Sequence, residues 1–322
     1  MTPPLLSITM HAKFAAELAR ELTIPHQLRT FSDENDAAMA ELLGKTDVLV
    51  YGEFRSAWNN LGVRQLRLVH CTGAGTDGID FTALPADCTV CNVYGHQWGV
   101  AEHAFLLMMA LHRNLFGLDA ALRTGNWTPE RPYLPELRGR SLLILGLGHI
   151  GKELVRWGKF LGMNIAILTR APSQGRAELF GLSHFGGLAD LPMQLPLADF
   201  VVVAIPAASG TIDLIGASEF ELMKPSAFII NVGRGAVINE VALYQALQTK
   251  MIAGAGLDLW YQYPAMDEDR QPARLPFHAL DNVIMTPHKP TAETMAYRWK
   301  AIADNVARFS RGEMMNCVVR AG

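Results

Sequence analysis

From Leu5 to Gly95, short runs of apolar residues alternate with longer stretches in which apolar positions recur at helical spacing. The short runs Leu5 to Thr9, Gln27 to Phe31, Asp47 to Tyr51, Leu66 to Cys71 and Thr89 to Val93 predict strands, and Ala12 to Leu22 and Asn35 to Leu43 predict helices. Such alternation builds a parallel sheet flanked by helices. Val100 to Leu115 reads as one long apolar helix, and the stretch Gly125 to Pro135, with its Gly, Pro and Trp, reads as a loop at which the domain changes. A second series opens at Arg140, with strands at Ser141 to Leu145, Asn164 to Thr169, Phe200 to Ile205, Ala227 to Val232, Ile252 to Leu257 and Val283 to Thr286, and a helix at Lys152 to Leu161. Six strands alternating with helices suit a doubly wound sheet. Ala292 to Gly312 reads as a closing helix that crosses back to the first domain. The expected division is therefore residues 1–95 with 290–322 as one discontinuous domain and 96–289 as the other.

Composition narrows this α/β picture without changing it. Half of the 322 residues are apolar and 18% are charged, ample for two cores. The net charge of −3 is spread along the chain, so there is no basic footprint for nucleic acid. Met1 to Met10 lacks the pattern of a secretory signal, and no apolar run reaches the roughly 20 residues of a spanning helix. A cytoplasmic protein without membrane contact is expected. Of the four cysteines, Cys88 and Cys91 form a C-x-x-C on a predicted strand, where positions three apart face opposite sides. With no histidine pair at ligand spacing either, no metal site is expected.

Chemistry enters at Gly146-Leu-Gly-His-Ile-Gly151, which follows a predicted strand and opens a predicted helix. That context makes it a dinucleotide-binding loop: Gly146 for the tight turn, Gly148 for close approach of a pyrophosphate, Gly151 for helix–strand packing. The next strand ends not in the Asp or Glu that accepts from an NAD ribose but in Arg170. A guanidinium there suits a 2′-phosphate, so NADP(H) is the expected cofactor, with Thr169 and Ser173 as hydroxyl donors; the competing reading leaves Arg170 in solvent and admits NAD(H) as well.

Together with Gly73-Ala-Gly-Thr-Asp-Gly-Ile-Asp80, Val100-Ala-Glu-His-Ala104, Ile230-Asn-Val-Gly-Arg-Gly235, Gly256-Leu-Asp258 and Met285-Thr-Pro-His288, this loop gives a chain that resembles the D-isomer-specific 2-hydroxyacid dehydrogenases over nearly its whole length. That family includes glyoxylate/hydroxypyruvate reductases, phosphoglycerate dehydrogenases and formate dehydrogenase. The resemblance implies a flavodoxin-like substrate domain, a Rossmann-type dinucleotide-binding domain, and an active-site cleft between them. It implies Arg234 as the clamp on carboxylate and carbonyl oxygen, His288 as general acid/base, Asp258 near the nicotinamide, and the backbone amides of Ala74 and Gly75 as carboxylate holders, with Tyr94 close by. His149, Ile150, Pro206 and Val232 fall at cofactor positions. His96, Gln97, Trp98, Trp127 and the segment Arg131 to Leu134 are further candidates for the substrate cleft, and Lys289-Pro290 replaces small residues of the family. A homodimer built through the helix Val100 to Leu115 is implied as well.

One position departs from the family. Where relatives carry a Glu that pairs with the catalytic histidine, five residues after the Asp, this chain has Tyr263. A phenol cannot stabilise an imidazolium as a carboxylate does, so His288 is expected to titrate near or below the ordinary value of about 6.5. The acidic run Asp267, Glu268 and Asp269 is a substitute only if its loop folds back. The expected activity is reduction of a small 2-oxo acid by NADP(H). Two alternatives stay open: a formate-dehydrogenase-like hydride donor, suggested by Tyr263 and the aromatic stretch Trp260 to Tyr263, and a catalytically weak protein that senses NADP(H) for a partner.

Overall fold

The structure, a computed structural model, describes residues 5–32, 35–59, 63–127, 134–172, 181–263, 271–288, 294–313, 315 and 318–319. The chain separates into two compact units, Met1–His96 with Ala292–Gly322, and Gln97–Thr291.

The first unit carries strands β1 (Leu6–His11), β2 (His26–Phe31), β3 (Val48–Val50), β4 (Glu53–Phe54), β5 (Leu68–His70), β6 (Gly78–Ile79) and β7 (Thr89–Cys91), with helices α1 (Ala15–Glu21), α2 (Asp36–Leu43) and α3 (Ser56–Asn59). Five of the strands form a parallel sheet in the order β7-β5-β3-β1-β2, and Val318–Val319 adds an antiparallel edge beside β7. Leaving out the small β4–β6 pair, this is the 2-1-3-4-5 order of flavodoxin-like sheets. Because successive side chains of a strand face opposite sides, Leu49, Val69 and Val90 pack on Met39, Leu43 and Trp58, while Ile8, Met10, Val48, Val50 and Leu68 pack on the other face. That second face is covered by Trp299, Ile302, Ala303 and Val306 of the helix Thr294–Ser310. Burying a side chain of this size contributes roughly 1.5–3 kcal/mol, which is why the closing helix returns to this sheet.

His70 ends β5 on that face with no solvent exposure. Its Nδ1 lies 3.0 Å from the Cys71 carbonyl oxygen and its Nε2 lies 3.0 Å from Asn305 Nδ2. The carbonyl only accepts and the amide nitrogen only donates, so the ring is the neutral Nδ1–H tautomer. Burial pushes its pKa down to about 4.

The second unit opens with α4 (Gln97–His112) and α5 (Leu115–Arg123). The helix expected from Val100 to Leu115 is α4, which ends earlier, at His112; Asn114, at φ 48, breaks the run, and the second helix α5 that follows buries none of its residues. No single helix among the described residues is long and apolar enough to cross a membrane; α4 and α5 reach that length only as a pair bent by 55°, and α4 is packed into the core of its unit. The sheet comprises β8 (Ser141–Leu145), β9 (Asn164–Thr169), β10 (His184–Gly187), β11 (Phe200–Val203), β12 (Phe228–Asn231), β13 (Gly254–Leu257) and β14 (Val283–Met285), all parallel, in the order β10-β9-β8-β11-β12-β13-β14. This is the doubly wound Rossmann order with a seventh strand added. Six strands were expected; β10, His-Phe-Gly-Gly, was missed because it is short and glycine-rich. Leu142, Ile144, Ile165, Ile167, Phe200 and Val202 face one core and Leu143, Leu145, Ala166, Leu168, Val201 and Val203 the other, so the strands read as continuous apolar runs rather than alternating ones.

Candidate active site

In an open parallel sheet, groups that follow the strands' C-terminal ends share one edge, and at the switch point the loops part to admit a ligand. The second unit places its chemistry there. After β8 comes Gly146, at φ +105, where a Cβ would stand 2.7 Å from the Ala204 carbonyl oxygen. A Cβ on Gly151 would collide with the Gly146 carbonyl oxygen, so α6 (His149–Phe160) closes on the strand only with glycine there. At Gly148 a Cβ would meet nothing within 4 Å. Gly148 is also the N-cap of α6 and brings no side chain to the first turn, at the positive end of the helix dipole. His149 is exposed and Ile150 half-buried beside them.

Thr169 ends β9 and the exposed Arg170 follows; among the described residues no carboxylate pairs with it. Ser173 lies outside the described residues. Pro206, beyond β11, is exposed, and its carbonyl accepts from Thr211 Oγ1 at 2.8 Å. Val232, after β12, is buried.

The loop after β12 is fixed from within. Asn231 Nδ2 donates to the Arg234 carbonyl at 2.9 Å, and Asn231 Oδ1 accepts from Gly233 N at 3.1 Å. A Cβ on Gly235 would strike the Trp260 carbonyl oxygen, so the chain passes too close for any other residue. Arg234, at extended φ and ψ, has Nη1 2.8 Å from the Gly233 carbonyl oxygen.

Asp258, just past β13, has no solvent exposure. Its Oδ1 accepts from Thr286 Oγ1 at 2.6 Å and lies 3.5 Å from His103 Nε2, while Oδ2 is buried without a hydrogen-bond partner. His103 comes from α4, and its Nε2 is 2.9 Å from Thr286 Oγ1. Trp260 Nε1 donates to the Thr286 carbonyl at 2.8 Å, tying the loop after β13 to the one after β14.

His288 follows β14 at φ 51, a left-handed conformation that a non-glycine residue adopts at some energetic cost. Its side chain reaches the surface, yet protein packed around the ring pushes its pKa below the usual histidine value; the negative charge of Asp258 pulls it up and the positive charge of Arg234 pushes it down. Tyr263 lies beside it, the two ring centroids 5.4 Å apart and tilted by 57°. The phenol is 56% exposed, and its oxygen accepts from Trp260 N at 3.3 Å. The tyrosine thus stands next to the histidine, whose shift is set first by burial.

Residues 105–289 match the model of the D-isomer specific 2-hydroxyacid dehydrogenase NAD binding domain. The chain belongs to this family. It is 30% identical to a glycerate dehydrogenase of Methylorubrum extorquens over 311 residues, 93% of this chain and 94% of that one. It is 32% identical to a D-3-phosphoglycerate dehydrogenase of Archaeoglobus fulgidus over 77% of this chain, and the match spans only 46% of that protein. The chain covers less than half the length of the D-3-phosphoglycerate dehydrogenases it resembles. Among solved structures, an NADPH-dependent glyoxylate/hydroxypyruvate reductase of Sinorhizobium meliloti, in complex with NADP and malonate, superimposes with a TM-score of 0.81 at 25% identity, covering 99% of this chain and 97% of that one.

The family's NAD binding domain implies a dinucleotide, and the second unit fits one: the open backbone at Gly148, the uncapped start of α6 and the unpaired Asp258 Oδ2 are places where phosphate and amide groups find partners. In the first unit, Ala74 and Gly75 are half-buried, and Asn92 Nδ2 donates to the Ala74 carbonyl at 2.7 Å and to Tyr94 Oη at 3.2 Å. A Cβ on Gly73 would meet nothing within 4 Å, but neither Gly73 nor Gly75 is among the glycines at positive φ, so the left-handed turn of an anion nest is not what bares these amides. Lys289, Pro290, Arg131 and the acidic run Asp267, Glu268 and Asp269 lie outside the described residues. Asn92, His103, Asn231 and Thr286 received no role from the sequence. Their signal was there, since His103 and Thr286 are polar residues inside two of the family motifs, but their partners lie 183 and 28 positions away.

Proposed function

We propose that this chain is a 2-oxo acid reductase that turns glyoxylate, hydroxypyruvate or a similar small acid into the D-2-hydroxy acid, with a preference for NADP(H) over NAD(H). The observation that carries the reading is the grouping of Arg234, Asp258 and His288 with an open glycine loop along one edge of one parallel sheet. The names of relatives, a glycerate dehydrogenase and a glyoxylate/hydroxypyruvate reductase, support the substrate class.

The start of α6 takes the pyrophosphate, and Arg170 with Thr169 takes the 2′-phosphate; Ile150, Pro206 and Val232 complete the binding surface. The nicotinamide, when bound, supplies the hydride. Asp258 Oδ2, the buried oxygen without a partner, accepts from an amide N–H and so orients the ring. Arg234 presents its fork to the substrate's carboxylate and carbonyl oxygen, stabilising the negative charge that grows on that oxygen. His288, as imidazolium, gives its ring proton to the same oxygen and recovers it in the reverse direction. Ala74 and Gly75 hold the substrate carboxylate through their backbone amides. Because reduction needs His288 protonated and burial lowers its pKa, the rate falls as pH rises, with a midpoint on the low side of an ordinary histidine.

The test follows NADPH and NADH oxidation with glyoxylate, hydroxypyruvate, pyruvate and phenylpyruvate near pH 6 and near pH 8. NADPH oxidation severalfold faster than NADH, and faster at the lower pH, is expected. Binding of NADPH with no oxidation by any oxo acid would sink the reductase reading and turn attention to formate oxidation or to sensing. A homodimer belongs to the same proposal, supported by the exposed apolar side chains Leu106, Met109, Leu115, Phe116, Leu118 and Leu122 along α4 and α5. A monomer in sedimentation equilibrium would remove it.

A further inference from the structure

We propose that His103 is a positioning residue: through Thr286 it fixes the Asp258 carboxylate, and the fixed charge sets the proton affinity of His288. This rests on the reading of His288 as the proton donor.

The direction of each hydrogen bond follows from chemistry. A carboxylate only accepts, so Thr286 Oγ1, 2.6 Å from Asp258 Oδ1, spends its single proton there. The threonine oxygen is then an acceptor, and the group 2.9 Å away, His103 Nε2, must carry a proton toward it. His103 is the Nε2–H tautomer or the cation, and in either form the chain runs one way, from imidazole to hydroxyl to carboxylate. Oδ1 also lies 3.5 Å from His103 Nε2, so positive charge on that ring meets the same oxygen.

Nothing else in the described residues holds the carboxylate. Its backbone N–H is tied to the Asn231 carbonyl at 3.2 Å, but Oδ2 has no partner, so Thr286 and His103 alone set its rotation. They are themselves anchored: Thr286 N donates to the Leu257 carbonyl at 2.9 Å, its carbonyl accepts from Trp260, and His103, 12% exposed, is carried by α4, whose neighbouring residues are core. Among the described residues, the groups that act on His288 come from two loops: Asp258 and the uncharged ring of Tyr263 after β13, and Arg234 after β12. Asp258 alone among them favours the imidazolium. With no glutamate at position 263, the proton affinity of His288 hangs on a carboxylate whose orientation is set from another helix. A merely structural histidine would stabilise the fold and leave that affinity alone.

The experiment titrates the histidine C2 protons by NMR in the cofactor-free protein, with His288 assigned as the resonance missing from His288→Asn. His103→Leu and Thr286→Val break the chain; His103→Gln and Thr286→Ser each keep a donor in place. The expected result is a His288 midpoint lower by about 0.5–1 pH unit in the two breaking variants, and near the parent's in the two conservative ones. The alkaline limb of the reductase profile should move with it. An unchanged midpoint in His103→Leu and Thr286→Val, or an equal shift in all four variants, would overturn the proposal. If His103→Leu does not fold, the Thr286 pair decides. A parent protein without reductase activity would undo the proposed function and leave the titration to judge this inference separately.

Discussion

His70 and His288 follow the same kind of element, the C-terminal end of a parallel strand, yet they are opposites. His70 has both ring nitrogens paired inside the first unit, no exposure, and a pKa held near 4. His288 stands in the second unit at a left-handed φ, part of its ring at the surface, facing two opposite charges and a phenol. Both pKa values are pushed down by burial, so the shift does not tell them apart. What differs is whether the surrounding polar atoms are all satisfied. Around the His70 ring both nitrogens are paired, and beside His288 the Asp258 carboxylate keeps an oxygen with no partner among the described residues. A closed set of hydrogen bonds stabilises a fold, and an open one awaits a ligand.

The hardest blow to this contrast comes from removing each ring. His288→Asn should lower kcat for oxo-acid reduction by about 10²–10⁴-fold, the range of general acid catalysis, with NADPH affinity and unfolding temperature near the parent's. A small loss would put His288 with His70 among the structural residues. His70→Leu should do the reverse, lowering stability by about 2–4 kcal/mol through the unsatisfied Asn305 amide, with kcat per folded molecule unchanged.

A second prediction sharpens the comparison through pH. The folded-state pKa of His70 is depressed, so its contribution is fully present above the unfolded value of about 6.5 and is lost as pH falls toward 4, because the unfolded chain binds the proton first. Denaturant titrations should show the parent losing about 3 kcal/mol more than His70→Leu between pH 7 and pH 4. Parallel losses in the two proteins would place the pH sensitivity elsewhere. The smallest effect is expected from Tyr263→Glu, which sets a carboxylate beside His288 and should raise the midpoint of the reductase pH profile by about 1 unit. A profile that does not move would mean that the residue at 263 does not act on the histidine.

Legibility in the sequence followed the same division. Ser141–Leu145 and Asn164–Thr169 were read to the residue, because strands buried on both faces leave an uninterrupted apolar run. The glycine loop was readable because Gly146 and Gly151 are forced by backbone collisions that no other side chain survives. The break at Asn114 was not, since a left-handed asparagine inside an apolar run leaves the periodicity almost intact. The His103–Thr286–Asp258 chain was invisible for a different reason: three elements far apart in sequence meet only once the sheet has formed. The motifs that hold these residues were legible, and the contacts between them were not.

On the function proposed above, the site of the second unit directs a hydride and a proton onto a 2-oxo acid. The most direct measurement incubates the protein with hydroxypyruvate and NADPH deuterated at both C4 positions of the nicotinamide, and analyses the glycerate formed by mass spectrometry and chiral chromatography. D-glycerate with one deuterium at C2 is expected. No deuterated glycerate from a folded protein that binds NADPH, or glycerate of the opposite configuration, would contradict it.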